Sequence, residues 1–208
     1  MRRRLPLLIA VTSAAALAIA PAWGASGGRT APSLKFFTGG AGAHADWLAT
    51  PDQPETDTDP QAIRIVTTTD PNGYAGIYVQ HVEGQPTATF PNSSYAVKTT
   101  NYTGPSLGTP RLVIQFSDGG YAELRPSTLS ENWQTVTDPN WDDHGGAGLG
   151  CGFQYETTWE KVQACHPATV VTAAYLTTDP YGWEYRIDDL TVDGTNFTRA
   201  ADNGDTSG

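Results

Sequence analysis

The tripeptide Thr-Asp-Pro occurs four times in this 208-residue chain, at 58–60, 69–71, 137–139 and 178–180. Asp favours the first position of a type I turn and Pro the second, where its fixed φ fits the turn, and Thr suits the end of a strand. The motif divides the chain into short segments and leaves no spacing for long helices or βαβ units. This pattern is typical of an antiparallel β-sandwich.

The segments between these turns have the residue pattern of strands. Residues 62–68 alternate apolar and polar side chains, and residues 111–116 place Leu112, Ile114 and Phe116 on one face. Period-two alternation of this kind indicates a half-buried strand. Both segments are therefore predicted to lie in sheets.

Three further segments complete the predicted architecture. Ser-Asp-Gly-Gly at 117–120 leads into Tyr-Ala-Glu-Leu-Arg, which predicts a β-hairpin with 111–116. Residues 170–176 are apolar on both faces, as in a central strand. The one segment typical of a helix is short, near 156–164. The predicted fold class is all-β, an antiparallel β-sandwich of jelly-roll type with that single short helix.

Two segments of the chain, 68–84 and 177–194, share a Thr-Asp-Pro-x-Gly turn and a closing Gly, but the second is one residue longer after its Pro. Shared turn chemistry explains the similarity as well as a duplication does. The second segment has two apolar sets that differ in phase by one residue: Trp183, Tyr185 and Ile187, then Leu190 and Val192. An extra residue at Asp188-Asp189 lets all five point inward, which predicts a β-bulge. The alternative is a strand buried on both faces, with one Asp accepting backbone hydrogen bonds.

Residues 185–194, Tyr-Arg-Ile-Asp-Asp-Leu-Thr-Val-Asp-Gly, resemble the terminal strand of jelly-roll modules of the galactose-binding-like and carbohydrate-binding kind. The order of Gly-Thr-Pro-Arg-Leu-Val-Ile at 108–114, a short helix, the strand 170–176 and this strand is similar to secreted bacterial jelly-roll domains. The resemblance covers the C-terminal half. Many such modules hold a structural Ca²⁺ partly through a terminal-strand Asp. The resemblance thus implies Asp188 or Asp189 as a metal ligand and Ca²⁺ as a candidate cofactor.

The N-terminal segment indicates export. Its first four residues, Met-Arg-Arg-Arg, are basic, residues 5–20 are uncharged and rich in Leu, Ile and Ala, and small residues at 20–24 offer cleavage sites. This is the pattern of a secretory signal peptide over residues 1–25, because the apolar stretch is too short for a stable membrane span. The alternative is an uncleaved anchor. We predict a secreted, extracellular protein that is not inserted in the membrane once the signal is cleaved.

The mature chain is strongly acidic. Without the three arginines of the signal, nine basic residues remain against 22 acidic ones, a charge near −13. Such a surface repels nucleic acid and anionic membranes, which excludes both as partners. About 183 residues suit one domain. We expect a flexible lead at 26–33, one β-sandwich domain at 34–200 and a disordered tail at 201–208.

The two cysteines, Cys151 and Cys165, are an even number in an exported chain, which favours a disulfide. Closing this 15-residue loop contributes about 3 kcal/mol by the loop-entropy estimate. The alternative is a metal site with His144 or His166, which lacks the usual ligand spacing. We predict the disulfide.

The segment 141–151, Trp-Asp-Asp-His-Gly-Gly-Ala-Gly-Leu-Gly-Cys, is the most unusual stretch of the mature chain. It lacks both the G-x-x-x-x-G-K pattern and the βαβ context of a phosphate-binding loop. Asp142, Asp143 and His144 have groups suited to a hard cation or to a sugar hydroxyl. Alternatively, they are solvated on a loop held by Cys151. Irregular loops on rigid sandwiches often have functional roles.

Aromatic residues add to the candidate site, because five Trp and nine Tyr remain in the mature chain. Trp141, Tyr181 and Trp183 lie in or beside turns, where an exposed ring can stack on the C–H face of a sugar. The alternative for Trp183, as for Trp133 and Trp159, is burial in the core. The predicted ligand-binding residues are Trp141, Asp142, Asp143, His144, Tyr181 and Trp183.

The leading functional hypothesis is non-catalytic binding of an extracellular carbohydrate or cell-wall glycan. One alternative is a small polysaccharide-active enzyme, a hydrolase or lyase. Glycosidase chemistry needs two carboxyl groups facing each other across a cleft, and nothing in the sequence pairs Glu123, Glu184 or Asp189 in that way. The other alternative is a surface or interaction protein without a small ligand. An exposed row of Trp or Tyr rings favours the binder.

Overall fold

The structure is a computed structural model that describes residues 30–49, 61–146 and 151–198. The predicted signal peptide and C-terminal tail lie outside the described residues. The strands, in chain order, are β1 Ser33–Thr38, β2 His44–Ala49, β3 Gln61–Val66, β4 Ala75–Gln80, β5 Ser94–Thr99, β6 Gly104–Pro105, β7 Arg111–Phe116, β8 Tyr121–Leu124, β9 Thr128–Leu129, β10 Gln134–Val136, β11 Trp141–Asp143, β12 Gln154–Thr157, β13 Val171–Thr177, β14 Glu184–Val192 and β15 Thr195–Asn196. The helical segments are a 3-10 turn, Thr87–Thr89, and α1, Trp159–Cys165.

Two antiparallel sheets form the sandwich. The seven-stranded sheet has the order β1-β4-β13-β7-β8-β11-β12, and the six-stranded sheet has the order β10-β5-β14-β3-β2 with β15 beside β14. The short strands β6 and β9 pair separately. The predicted fold class is confirmed: the chain is an antiparallel β-sandwich with one short α-helix among the described residues.

The core lies between the inner faces of the two sheets, where alternate residues of each strand are buried. The seven-stranded sheet contributes Leu34, Ile77, Val79, Leu112, Ile114, Leu124 and Leu176, and the six-stranded sheet contributes Ile63, Ile65, Tyr95, Val97, Tyr185 and Ile187. Each is at most 2% exposed. Burying one such aliphatic side chain stabilises the fold by about 1.5–3 kcal/mol. The period-two pattern in the sequence therefore reports the inner face correctly.

The predicted hairpin is confirmed as β7 and β8, which pair from Leu112–Leu124 to Gln115–Tyr121. The central strand is confirmed as β13, which lies between β4 and β7. The helix begins three residues later than the predicted start at 156 and ends at Cys165. Residues 154–157 pair with β11 instead, a long-range contact that local sequence does not reveal.

The β-bulge predicted at Asp188-Asp189 is confirmed. Between Asp188 and Thr191 the register of β14 shifts against β5, so that one extra residue is inserted. Asp189 has a φ of 48°, in the left-handed region that Asp tolerates better than most residues. Tyr185, Ile187, Leu190 and Val192 are at most 1% exposed on the inner side, and Trp183 is half-buried against them.

The two similar segments noticed in the sequence have equivalent positions. One connects β3 to β4, the other connects β13 to β14, and both pass from one sheet to the other. They lie side by side: Thr67 N–H donates to the Trp183 carbonyl at 2.9 Å, Trp183 N–H donates to Thr67 Oγ1 at 2.9 Å, and Thr178 Oγ1 donates to the Ala75 carbonyl at 2.7 Å. The shared sequence therefore forms the same kind of turn in both segments, one that leads the chain from one sheet to the other.

The predicted disulfide Cys151–Cys165 is present. It joins the segment before β12 to the last residue of α1. One turn differs from the expected type I geometry, because the Asp138–Pro139 bond is cis. Among the described residues, no helix has the length and apolar character needed to cross a bilayer.

Candidate functional site on the outer face of the seven-stranded sheet

The outer face of the seven-stranded sheet is formed by the side chains that alternate with the core residues. On β4, Tyr78 lies between the buried Ile77 and Val79 and is 46% exposed. Tyr175 on β13 is in register with Tyr78 and therefore lies on the same face. On β7 the residues that alternate with the core residues Leu112 and Ile114 are Arg111 and Gln115, which are partly exposed, and Val113, which is buried. The face is rich in aromatic rings, which form two clusters.

The first cluster, which we call the Tyr78 cluster, lies on β1, β4 and β13. It consists of Phe37, Tyr74, Tyr78 and Tyr175. The ring centroids of Phe37 and Tyr78 are 4.6 Å apart, and those of Tyr78 and Tyr175 are 5.8 Å apart. Tyr74 is 40% exposed. This side of the face is a largely open aromatic surface.

The second cluster, the Tyr155 cluster, lies on the other side of the face, on β8 and around β11 and β12. It consists of Tyr121, His144, Phe153 and Tyr155. The His144 ring is stacked on Tyr121 at 4.2 Å, Phe153 contacts His144 edge-on at 4.2 Å, and Tyr155 contacts Phe153 at 4.2 Å. Tyr155 is 68% exposed, the largest exposure of any large hydrophobic side chain among the described residues.

A row of charged groups separates the two clusters. Arg111 binds Asp179 through two parallel hydrogen bonds of 2.7 and 3.0 Å. Its Nε lies 3.3 Å from Glu123 Oε1, and Glu123 Oε2 lies 3.4 Å from His144 Nε2. Gln115 Nε2 donates to the Tyr175 hydroxyl at 3.2 Å. These contacts hold the polar groups in fixed positions between the rings.

A second ion pair fixes the part of the face next to β12. Asp142 is the cross-strand neighbour of Glu123. It accepts hydrogen bonds from Arg125 Nε at 2.6 Å and from the Glu156 backbone N–H at 3.0 Å. A small cavity of about 10 Å³ is lined by Arg125, Asp142 and Glu156, among others. Asp142 is thus a structural anchor at the margin of the face.

Three groups of the face have a raised pKa, each for a cause in its surroundings. Burial lowers the pKa of Arg111, but the hydrogen bonds and charge of Asp179, together with Glu123, outweigh this effect and raise the pKa. Burial raises the pKa of the Tyr175 hydroxyl, and the hydrogen bond from Gln115 partly offsets the rise. Burial also raises the pKa of Tyr121, assisted by the negative charge of Glu123. Arg111 is therefore cationic at neutral pH, and both hydroxyls are protonated donors.

The structure places the four predicted residues of 141–144 on opposite sides of one strand. Asp142 and His144 belong to the outer face, as described above. Trp141 and Asp143 are 0% exposed and point into the sandwich. The expectation of an exposed Trp141 ring is wrong, since β11 pairs Trp141 with the inward-facing Leu124. Of the four, only His144 is placed to contact a ligand directly, because Asp142 is 3% exposed and bound by Arg125.

Tyr181 and Trp183 belong to neither cluster and lie at the turn between β13 and β14, which begins at Asp179 of the charged row. Trp183 is stacked on Tyr102 at 3.8 Å, and Tyr181 lies against it at 4.7 Å. Asn101 closes this cluster by donating to the Gly182 carbonyl and accepting from the Glu184 N–H. Tyr181 remains 40% exposed. The ligand-binding role predicted for these two residues stays a prediction.

The calcium prediction also stays untested. Asp188 is 7% exposed, and its Oδ1 accepts a hydrogen bond from the Asp189 N–H at 2.9 Å. Within 30–49, 61–146 and 151–198, no group of three or more Asp, Glu, His or Cys side chains is placed to hold a metal ion.

Most residues of the face were not identified from the sequence. The missed residues are Phe37, Tyr74, Tyr78, Arg111, Tyr121, Phe153, Tyr155, Tyr175 and Asp179. A signal was present in the strands: Tyr78 and Tyr175 are aromatic at the positions of β4 and β13 that alternate with the core set. The sequence does not show which strands are neighbours in the sheet, so these residues could not be grouped into one site.

No family model and no curated protein sequence matches the chain. Solved structures of similar shape exist. The family 11 carbohydrate-binding module of the cellulosomal cellulase Lic26A-Cel5E of Clostridium thermocellum is 12% identical, with a TM-score of 0.43 over 80% of this chain and 91% of that one. A family 30 carbohydrate-binding module is 12% identical, with a TM-score of 0.42 over 82% and 87%.

An exo-beta-agarase is 8% identical, with a TM-score of 0.42 over 80% of this chain and 24% of that enzyme. The two binding modules belong to the class that residues 185–194 resemble. At such identities and TM-scores, the likeness assigns no ligand to this chain, and the site must be interpreted from its own geometry.

Proposed function

We propose that the protein binds an extracellular glycan on the outer face of the seven-stranded sheet. The observation that supports this function is the pair of exposed aromatic clusters with fixed polar groups between them. Aromatic rings stack on the apolar C–H faces of sugars, and neighbouring polar groups bind the hydroxyls. In this protein Tyr78 and Tyr155 supply accessible rings, and Arg111, Glu123 and Gln115 supply the polar groups.

The charges of the face favour a neutral glycan. Arg111 is paired with Asp179 and Glu123, and Arg125 is paired with Asp142. A sugar hydroxyl both donates and accepts, so it can bind a carboxylate oxygen and a guanidinium N–H without disturbing these pairs. An anionic sugar would have to compete with the carboxylates already bound. Repulsion by the mature charge near −13 adds to this preference.

The size of the face favours a chain of several sugars. Five strand spacings separate β4, which holds Tyr78, from β12, which holds Tyr155. At 4.7–4.9 Å per spacing, Tyr78 and Tyr155 are about 24 Å apart along the sheet. This distance is several times the width of one sugar ring. A chain that crosses the strands can therefore touch both clusters.

The carboxylates of the face support binding rather than hydrolysis. Glu123 and Asp142 are cross-strand neighbours, the arrangement that two catalytic carboxyl groups would need. However, Asp142 is 3% exposed and accepts hydrogen bonds from Arg125 and from the Glu156 N–H. Its oxygens are occupied by these partners and shielded from solvent, so Asp142 cannot approach a glycosidic oxygen as a general acid.

A glycan array, probed with and without EDTA, tests the function and the calcium prediction together.

Soluble neutral polysaccharides, such as hydroxyethylcellulose, xylan and galactomannan, then serve as ligands in affinity gel electrophoresis. We expect Tyr78→Ala and Tyr155→Ala each to lower the affinity about fivefold, the loss of one stacked ring. Tyr181→Ala removes a tyrosine that is 40% exposed and belongs to neither cluster, and it should have no effect.

Two results would contradict the proposal. One is the absence of any neutral glycan among the ligands. The other is a loss of affinity in Tyr181→Ala with none in Tyr78→Ala, which would move the site to the turn between β13 and β14. Thermal unfolding of each variant checks that the fold is intact.

A further inference from the structure

The most exposed ring of the face, Tyr155, lies on a strand at the edge of its sheet. Phe153 and Tyr155 are 46% and 68% exposed. Tyr155 lies on β12, and Phe153 directly precedes this strand. Within the part of the chain that the structure describes, β12 is an edge strand that pairs only with β11. The pairing consists of Trp141 with Thr157 and Asp143 with Gln154, and its register shifts between these two positions. An edge strand with an interrupted ladder has few bonds to hold it in place.

The backbone of β12 turns out of a regular strand at Glu156. Its φ is 48°, a left-handed conformation that is unfavourable for a residue with a Cβ. The Glu156 N–H donates to the side chain of Asp142 instead of to a neighbouring carbonyl. A side-chain anchor thus replaces a ladder bond. Backbone pairing alone does not explain why β12 keeps its position.

The disulfide supplies the missing restraint. Cys151 precedes Phe153 by two residues and Tyr155 by four. Its partner, Cys165, is 4% exposed at the end of α1, and α1 is packed on the core through Trp159. The chain also runs directly from β12 into α1. The bridge therefore closes a loop that ties both ends of β12 to the same helix, whose inner side is buried in the core.

We propose that the Cys151–Cys165 disulfide positions the rings of Phe153 and Tyr155 for ligand binding, so that reduction of this one bond releases the Tyr155 cluster. The Tyr78 cluster lies on β1, β4 and β13, which the bridge does not touch. Reduction therefore changes one half of the face and leaves the other in place. The consequence for binding rests on the proposed glycan function, whereas the positioning itself does not.

The positioning is tested without any ligand by hydrogen–deuterium exchange. The oxidised protein, the protein reduced with TCEP and the double variant Cys151→Ala/Cys165→Ala are compared. We expect exchange in residues 152–157 to rise at least about tenfold when the bridge is absent, as in local opening. Peptides from β4 and β13 should be unchanged. The reduced wild type answers the question if the double variant folds poorly.

Two results would overturn the proposal. Unchanged exchange at 152–157 after reduction would show that the bridge does not hold β12. A rise in exchange throughout the sandwich would show that the bridge holds the whole fold rather than the Tyr155 cluster.

A double-mutant cycle then connects the bridge to binding, in affinity electrophoresis with the same three polysaccharides. Loss of the bridge should weaken binding about as much as Phe153→Ala/Tyr155→Ala does. In a protein that already has Phe153→Ala/Tyr155→Ala, loss of the bridge should cause almost no further decrease in affinity. In a Tyr78→Ala background it should still weaken binding. Full additivity in both backgrounds would contradict a role through the rings. If no polysaccharide binds even the oxidised protein, the glycan function fails, and the exchange result alone decides the positioning.

Discussion

His166 lies in the interior with a carboxylate at each of its two ring nitrogens. Nδ1 is 2.7 Å from Asp118 Oδ2, and Nε2 is 3.1 Å from Asp143 Oδ1. Both nitrogens donate only when the ring is protonated. Burial lowers the pKa of His166, but the hydrogen bonds to Asp143 and Asp118, with their negative charges, outweigh it and raise the pKa. The imidazolium links the β7–β8 turn to β11.

This arrangement predicts a pH-dependent stability. Because the folded pKa is raised above the usual value of 6.5, the contribution of His166 is fully present below that usual value and is lost as the pH rises through the folded pKa. Urea unfolding from about pH 5 to about pH 9 measures the free energy of unfolding across this window. We expect the difference between the wild type and His166→Gln to shrink on the alkaline side. A difference that stays constant with pH would contradict the prediction.

At the scale of single residues, sequence and structure agree where a contact is local and differ where it depends on a distant strand. The disulfide was predictable because the chain has only two cysteines and they are close in sequence. The opposite directions of the Asp142 and Asp143 side chains could not be predicted from the sequence. Only the pairing of β11 with β8, which puts Asp142 beside Glu123 and Asp143 beside Ala122, decides which carboxylate points into the sandwich.

Among the elements, β14 was the most predictable because its phase change is visible in the sequence. Its apolar positions change from odd to even numbers across Asp188 and Asp189, and only a bulge reconciles that change with one inner face. The edge strand β12 could not be predicted in this way. It is four residues long and depends on β11 and on the Asp142 side chain for its position.

The bulge leads to a prediction for β14. Deleting Asp189 should turn Leu190 and Val192, now at most 1% exposed, toward the outer face. Loss of two buried aliphatic side chains should cost about 3–6 kcal/mol. Asp189→Gly keeps the inserted residue and suits the φ of 48°, so it should change stability by no more than about 1 kcal/mol. Urea unfolding measures both, and a deletion as mild as the Gly variant would show that the strand does not need the bulge.

For the whole molecule, the sandwich class was predictable and the binding face was not. The repeated turns and the alternation of apolar and polar residues indicate two packed sheets, but they do not indicate which strands are neighbours. In the order β1-β4-β13-β7-β8-β11-β12, only β7 with β8 and β11 with β12 are consecutive in the chain. The Tyr78 cluster combines residues almost 140 positions apart, Phe37 and Tyr175. A site made by topology in this way has no local motif.

The rigid sheet between the two aromatic clusters predicts how affinity depends on ligand length. An oligosaccharide that reaches only one of Tyr78 and Tyr155 should bind weakly. One long enough to span the distance of about 24 Å between these two rings should bind on the order of 10²-fold more tightly, since the second contact is then intramolecular. Calorimetric titration with a length series of the best array ligand measures the step. Phe153→Ala/Tyr155→Ala should abolish the step and leave short-chain binding unchanged, because the Tyr78 cluster is intact. A smooth rise of affinity with length, equal in wild type and variant, would mean that the ligand never bridges the face.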